Sequence, residues 1–173
     1  MMRGLIHLYC GDGKGKTSAA AGMALRCAGA GGSVVYAAFL KDGTSSETAM
    51  LEKCPGISVL YCADHFGFVK DMDEGVRRAA GSGFSRLFSK AAALGMKADM
   101  VILDEICAAC RYGFVDEAKL LDFLDDPERT AEVILTGRDP SDAMMKRADY
   151  ITCMVKKRHP FDRGIGARKG IEY

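Results

Sequence analysis

With 173 residues, 24 basic against 23 acidic side chains and a net charge of +1, the chain is sized for one domain. It carries no overall field that would draw it to nucleic acid or to an anionic membrane, so any anion site must be local. Seven cysteines, an odd number scattered through apolar segments, suit reduced thiols in a cytoplasmic protein, and no apolar run is long enough to span a bilayer.

Leu5–Cys10 is apolar and predicts a first strand, with no signal-peptide pattern ahead of it. Cys10-Gly11-Asp12-Gly13-Lys14-Gly15-Lys16-Thr17 follows, and an alanine-rich run predicts a helix over Thr17–Ala30, ended by Gly29, Gly31 and Gly32. The glycines let the backbone curl so that successive N–H groups point inward at a helix N-terminus, where the helix dipole adds to their attraction for an anion. Lys16 adds a full positive charge, and the Thr17 hydroxyl an oxygen suited to Mg²⁺. Strand, glycine loop and helix in this order predict a triphosphate cradle rather than a glycine turn with incidental lysines. The pattern G-x-x-x-x-G-K-[ST] fails only at its first position, where Cys10 stands; Gly11 and Gly13 can supply the left-handed freedom a tight loop needs.

Ser33–Phe39 is continuously apolar and predicts a strand covered on both faces. A polar loop, 41–46, leads to a short helix over Thr48–Cys54, stopped by Pro55-Gly56, and to a strand over Ile57–Cys62. Ala63–Asp73 is irregular and carries His65, Phe66, Phe68 and Lys70. A long helix is expected from about Asp73 to Gly95, weakened by Gly81 and Gly83. Met100–Glu105 predicts a strand ending in two acids. Helices are then expected around Ile106–Tyr112 and Asp116–Leu124, a strand over Ala131–Thr136, a helix over Ser141–Ala148 capped by Ser141, and a last strand over Tyr150–Val155. The tail from Lys156 to Tyr173 is basic and glycine-rich and reads as ordered loop.

This alternation predicts an α/β architecture, a three-layer fold with a mainly parallel sheet flanked by helices, formed by residues 1–173 as a single domain. Ligands of such sheets bind beyond the carboxyl ends of the strands. The glycine loop, Asp104-Glu105 and Thr136-Gly137-Arg138 all fall there. Asp104 or Glu105 can hold Mg²⁺ together with Thr17, and Arg138 can reach phosphate oxygens. Cys107-x-x-Cys110 lacks a second ligand pair and reads as small core residues on a helix; His7 reads as structural. No Ser/His/Asp or Cys/His set stands out, so the nucleophile is expected to come from a substrate.

Gly11-Asp12-Gly13-Lys14-Gly15-Lys16-Thr17 closely resembles the G-N-G-K-G-K-T loop of the P-loop corrinoid adenosyltransferases, a family with threonine where this chain has Cys10. Phe39-Leu40-Lys41 is similar to its Q-F-I-K, Val101-Ile102-Leu103-Asp104-Glu105 to its V-V-L-D-E, and Ile134-Leu135-Thr136-Gly137-Arg138 to its I-I-T-G-R. The tail from His159 to Tyr173 resembles the ending H-A-F-D-A-G-V-x-A-x-x-G-I-D-Y without gaps.

The resemblance implies a P-loop NTPase-like fold and transfer of the 5′-deoxyadenosyl group of ATP to the Co(I) centre of a corrinoid, either cobalamin or cobyrinic acid a,c-diamide, with triphosphate released. It implies ATP contacts at Gly11, Asp12, Gly13, Lys14, Gly15, Lys16, Thr17, Ser18, Lys41, Arg138 and His159, and Mg²⁺ at Thr17 with Asp104 or Glu105. Lys16, Phe68 and Arg138 are the expected catalytic residues, Phe68 through its part in stripping the lower axial ligand from cobalt. The family's G-F-T-W stretch is Gly67-Phe68-Val69-Lys70 here, with lysine in place of tryptophan. A flavoprotein-type reductant and a homodimer also follow from the resemblance. A P-loop ATPase or nucleotide kinase of other purpose, and a non-catalytic corrinoid carrier, remain as alternative readings.

Overall fold

Among the described residues, six short strands carry apolar runs into one sheet: β1 (Ile6–Cys10), β2 (Val34–Ala38), β3 (Ile57–Tyr61), β4 (Met100–Asp104), β5 (Glu132–Thr136) and β6 (Tyr150–Cys153). The computed structural model describes residues 3–64, 66–67 and 69–172. The strand order is β3-β2-β4-β5-β1-β6, and every neighbouring pair is parallel. β2 and β4 are buried along their whole length, which is why they run apolar without alternation, β4 as far as its last residue, Asp104.

The helices are α1 (Lys16–Gly29), α2 (Ser46–Leu51), α3 (Glu74–Gly95), α4 (Ile106–Arg111), α5 (Glu117–Asp125) and α6 (Asp142–Arg147). From β1 to β2 to β3 the chain steps one way across the sheet; from β3 to β4, β5 and β6 it steps back. Right-handed crossovers therefore put α1 and α2 on one face and α3 to α6 on the other. The core divides accordingly. Leu8, Val35, Val101, Leu103 and Leu135 meet Phe84, Leu87, Phe88 and Leu124 on one side. Tyr36, Ile102 and Ile134 meet Ala20, Ala24 and Leu51 on the other.

Several boundaries differ from the sequence pattern for local reasons. The second strand is shorter than its apolar run. The short helix expected over 48–54 starts two residues earlier and ends at Leu51. α3 runs unbroken through Gly81 and Gly83, with the Asp73 carboxylate accepting from the Val76 N–H at 2.8 Å. A Cβ at Gly83 would lie 2.9 Å from Cys62 Sγ, so this glycine is where the helix passes close to the end of β3. Ser141 caps α6, accepting from the Met144 N–H at 3.2 Å. The tail contains one 3-10 turn, Pro160–Arg163. Among the described residues, no helix is long and apolar enough to cross a membrane.

Candidate active site

β1 ends at Cys10, whose side chain is buried, so the loop's freedom begins at Gly11 (φ 92°) and closes at Gly15 (φ 111°). That placement accounts for the imperfect motif: Cys10 is strand, not loop. The Gly13 N–H donates to the Met154 carbonyl at 2.7 Å, and a Cβ on Gly13 would sit at the same distance from that oxygen. The loop thus leans on the chain leaving β6, and only glycine permits the approach. Lys16, 7% exposed, folds back over the loop and donates to the carbonyls of Gly11 at 2.7 Å and Gly13 at 2.8 Å.

The end of β4 brings Asp104 under this loop with no exposure to solvent. Three groups from distant sequence donate to its carboxylate. Thr17 Oγ1 reaches Oδ1 at 3.0 Å, Thr136 Oγ1 reaches Oδ1 at 2.7 Å, and Lys41 Nζ reaches Oδ2 at 2.8 Å. Lys41 also pairs with Glu47 Oε1 at 3.0 Å. Thr136 in turn accepts the Glu105 N–H at 2.8 Å. This bond ends the strand: the sequence extends it through Glu105, but Glu105 turns to φ 61° instead. Leu40 (φ 57°) and Asp139 (φ 49°) take the same left-handed region beyond β2 and β5. Three non-glycine residues in that region at three adjacent strand ends concentrate backbone strain at one edge.

The electrostatics follow from crowding of carboxylates. Burial, then the charge of Asp104, raises the Glu105 pKa, while Lys41, Lys16 and Arg138 pull against it. Burial works to lower the Lys41 pKa, but Asp104 and Glu47 outweigh it and the net shift is upward. Tyr36 on β2 is fully buried with its hydroxyl unpaired among the described residues; burial, then Asp104, pushes its pKa up.

Above this floor lies a cavity of about 490 Å³. Of the residues expected at a nucleotide, Asp12, Gly13, Lys14, Gly15, Lys16, Thr17, Ser18, Lys41, Arg138 and His159 all line it, as does Glu105. Gly11 contributes its carbonyl to Lys16, and Asp104 lies beneath. Phe68 falls outside the described residues, as does His65. Sequence reasoning missed Glu47, Thr136 as a partner of Asp104, and Glu172.

Glu172 belongs to the tail, which closes over the loop. Lys14 Nζ donates to the Ile171 carbonyl at 2.7 Å and to Glu172 Oε1 at 3.1 Å. The Lys156 N–H donates to Asp12 Oδ1 at 3.0 Å. Hydrogen bonds from the Arg168 side chain and backbone, then Lys14, hold the Glu172 carboxyl down to about 2. His159 caps the 3-10 turn, its Nδ1 accepting from the Phe161 N–H at 3.2 Å.

A second cavity of about 750 Å³ adjoins the first and shares Lys41, Glu47 and Glu172 with it. Leu40, Phe66, Val69, Met72, Phe84 and Tyr112 make its wall largely apolar, and Lys70 also lines it. The remaining motif residues serve the scaffold. Cys107 is buried on α4, and burial pushes the Cys107 and Cys110 thiols up to about 12. His7 bonds Glu132 at 2.6 Å and stacks on Tyr150 at 4.5 Å.

Among the described residues no group of three His, Cys, Asp or Glu side chains forms a metal cage. Asp104, Thr17 and Glu105 instead form a sparse set of hard oxygens, the kind that holds a divalent ion in company with phosphates and water. The Lys41 ammonium, in contact with Asp104 and Glu47, already marks a cation position there.

Residues 2–173 match the sequence profile of the family described as ATP:corrinoid adenosyltransferase BtuR/CobO/CobP. Several curated relatives carry the name corrinoid adenosyltransferase. One from Sinorhizobium is 31% identical over 99% of this chain and 81% of its own. One from Pseudomonas aeruginosa is 30% identical over 99% of this chain and 84% of its own. One from Escherichia coli K12 is 29% identical over 99% of this chain and 86% of its own.

Proposed function

From the premise that this chain belongs to the ATP:corrinoid adenosyltransferase family, we propose that it moves the 5′-deoxyadenosyl group of ATP onto the reduced cobalt of a corrinoid and releases triphosphate. The observation that carries this reading is the junction of the two cavities. A polar, lysine-rich one and a largely apolar one meet at Lys41 and Glu47, so a triphosphate and a macrocycle can be held side by side.

The substrate cobalt, as Co(I), supplies the electron pair that attacks C5′ of the ribose; the C5′–O bond breaks and its electrons leave with the triphosphate. No proton is transferred, so the step asks no general base of the protein. The protein's work is to position both reactants and to stabilise the leaving group. N–H groups of the loop Gly11–Thr17 wrap the phosphates, and Lys16, Lys14 and Arg138 neutralise them. Lys16 must exchange its bonds to the Gly11 and Gly13 carbonyls for phosphate oxygens, and Lys14 its bonds to the tail. Thr17, Asp104 and Glu105 would hold Mg²⁺, which when bound supplies further charge neutralisation at the triphosphate. Ser18, Lys41 and His159 complete the nucleotide contacts. The family resemblance supports a flavoprotein-type reductant, a homodimer and a cytoplasmic setting.

Replacing Lys16 with Ala tests the assignment. The variant should fold, as judged by circular dichroism, and lose ATP-dependent adenosylation of cob(I)alamin under anaerobic conditions. Full activity in that variant would remove the loop from the reaction.

A further inference from the structure

The Lys41 ammonium occupies a position made of oxygen atoms: Asp104 Oδ2 at 2.8 Å, Glu47 Oε1 at 3.0 Å and Thr17 Oγ1 at 3.5 Å. Two of these three residues are the ones that would hold a divalent ion. Asp104 is wholly buried, and a buried carboxylate is costly unless it is paired. Lys41 supplies the only ammonium that reaches it among the described residues. Leu40, held at φ 57°, forms the turn from which Lys41 reaches back to the end of β4.

Two cations cannot share this carboxylate comfortably. A divalent ion bonded to an Asp104 oxygen at about 2.0–2.1 Å would stand beside an ammonium hydrogen-bonded to the other oxygen. The Thr17 hydroxyl, which now donates to Asp104, would have to turn its lone pair outward. Lys41 lines both cavities, so its ammonium has somewhere else to go once an anionic ligand arrives.

We propose that Lys41 is the resident cation of the metal position, and that a divalent ion enters only when a nucleotide triphosphate offers this ammonium a new partner. Lys41 is then a positioning residue that keeps Asp104, Thr17 and the end of β4 assembled between turnovers, and it makes metal and nucleotide load together. The proposal rests on the reading of the first cavity as a nucleotide site.

Manganese(II) is the probe, followed by electron paramagnetic resonance of the free ion with the full-length, metal-free chain. Wild type should bind Mn²⁺ poorly alone and far better with ATP. Lys41→Met should bind Mn²⁺ without ATP roughly tenfold or more tightly than wild type, because the competing charge is gone, while Lys41→Arg should keep the exclusion. An unchanged Mn²⁺ affinity in Lys41→Met, or wild type that binds Mn²⁺ equally well without ATP, would overturn the proposal. If Lys41→Met does not fold in metal-free buffer, recovery of its native circular dichroism on adding Mn²⁺ carries the same support, and failure to recover counts against it. ATP binding by wild type with Mg²⁺ present separates the two readings. Loss of ATP binding by wild type would defeat the nucleotide site itself; intact ATP binding with unaltered Mn²⁺ affinity defeats the role of Lys41 alone.

Discussion

The Thr136 hydroxyl donates to Asp104 at 2.7 Å while accepting the Glu105 N–H at 2.8 Å. One side chain from β5 thereby fixes both acids at the end of β4. Thr136→Val keeps the shape and removes the donor and the acceptor. It should cost about 1–3 kcal/mol of stability, because a buried carboxylate loses a partner, and activity should fall with it. Thr136→Ser should restore most of both. Urea denaturation alongside the adenosylation assay measures this; a Val variant as stable and active as wild type would deny the contact its role.

Gly13 touches the Met154 carbonyl closely enough that a methyl group would stand 2.7 Å from the oxygen and 2.8 Å from the carbon. Gly13→Ala must push the loop off the chain leaving β6. The expected result is a native circular dichroism spectrum with ATP affinity reduced by roughly tenfold or more, read by calorimetry.

The tail clasp should be acid-resistant. Arg168 and Lys14 hold Glu172 down to about 2, so its charge, present above the ordinary glutamate range near 4.5, is lost only as pH falls through about 2. Amide protection in residues 168–172, taken relative to the intrinsic exchange rate at each pH, should therefore persist at pH 4 and fall near pH 2. In Glu172→Gln the protection should already be weakened at pH 7.

Cysteine reactivity should sort by environment. Cys153 is exposed, whereas Cys107 and Cys110 remain thiols up to about 12. Iodoacetamide at pH 8 should modify Cys153 well before either of the other two, as peptide mass spectrometry would show. Early modification of Cys107 would contradict its burial on α4.

Much of the proposed nucleotide cradle can be read in the sequence, because each piece is a charged or glycine-rich break after an apolar run: Gly11–Thr17 after β1, Asp104-Glu105 after β4, Thr136-Gly137-Arg138 after β5. A parallel sheet then brings strand ends together without further information. What could not be read depends on turns. Glu47 meets Lys41 only because Leu40 bends the chain into a left-handed conformation, which nothing about a leucine announces. Lys14 looks like a phosphate ligand in sequence, yet its bonds here are to Ile171 and Glu172, since the tail has no periodicity to reveal where it docks. The strand expected through Glu105 stops one residue short because a hydroxyl from another strand captures its N–H.

The most direct test of the central claim is an anaerobic incubation with Mg-ATP and chemically reduced cob(I)alamin, with the visible spectrum and the phosphate products followed together. A light-sensitive cobalt–carbon product accompanied by intact triphosphate is the predicted result. Release of ADP and phosphate with no alkylated corrinoid would contradict it and leave an ATPase built on the same loop.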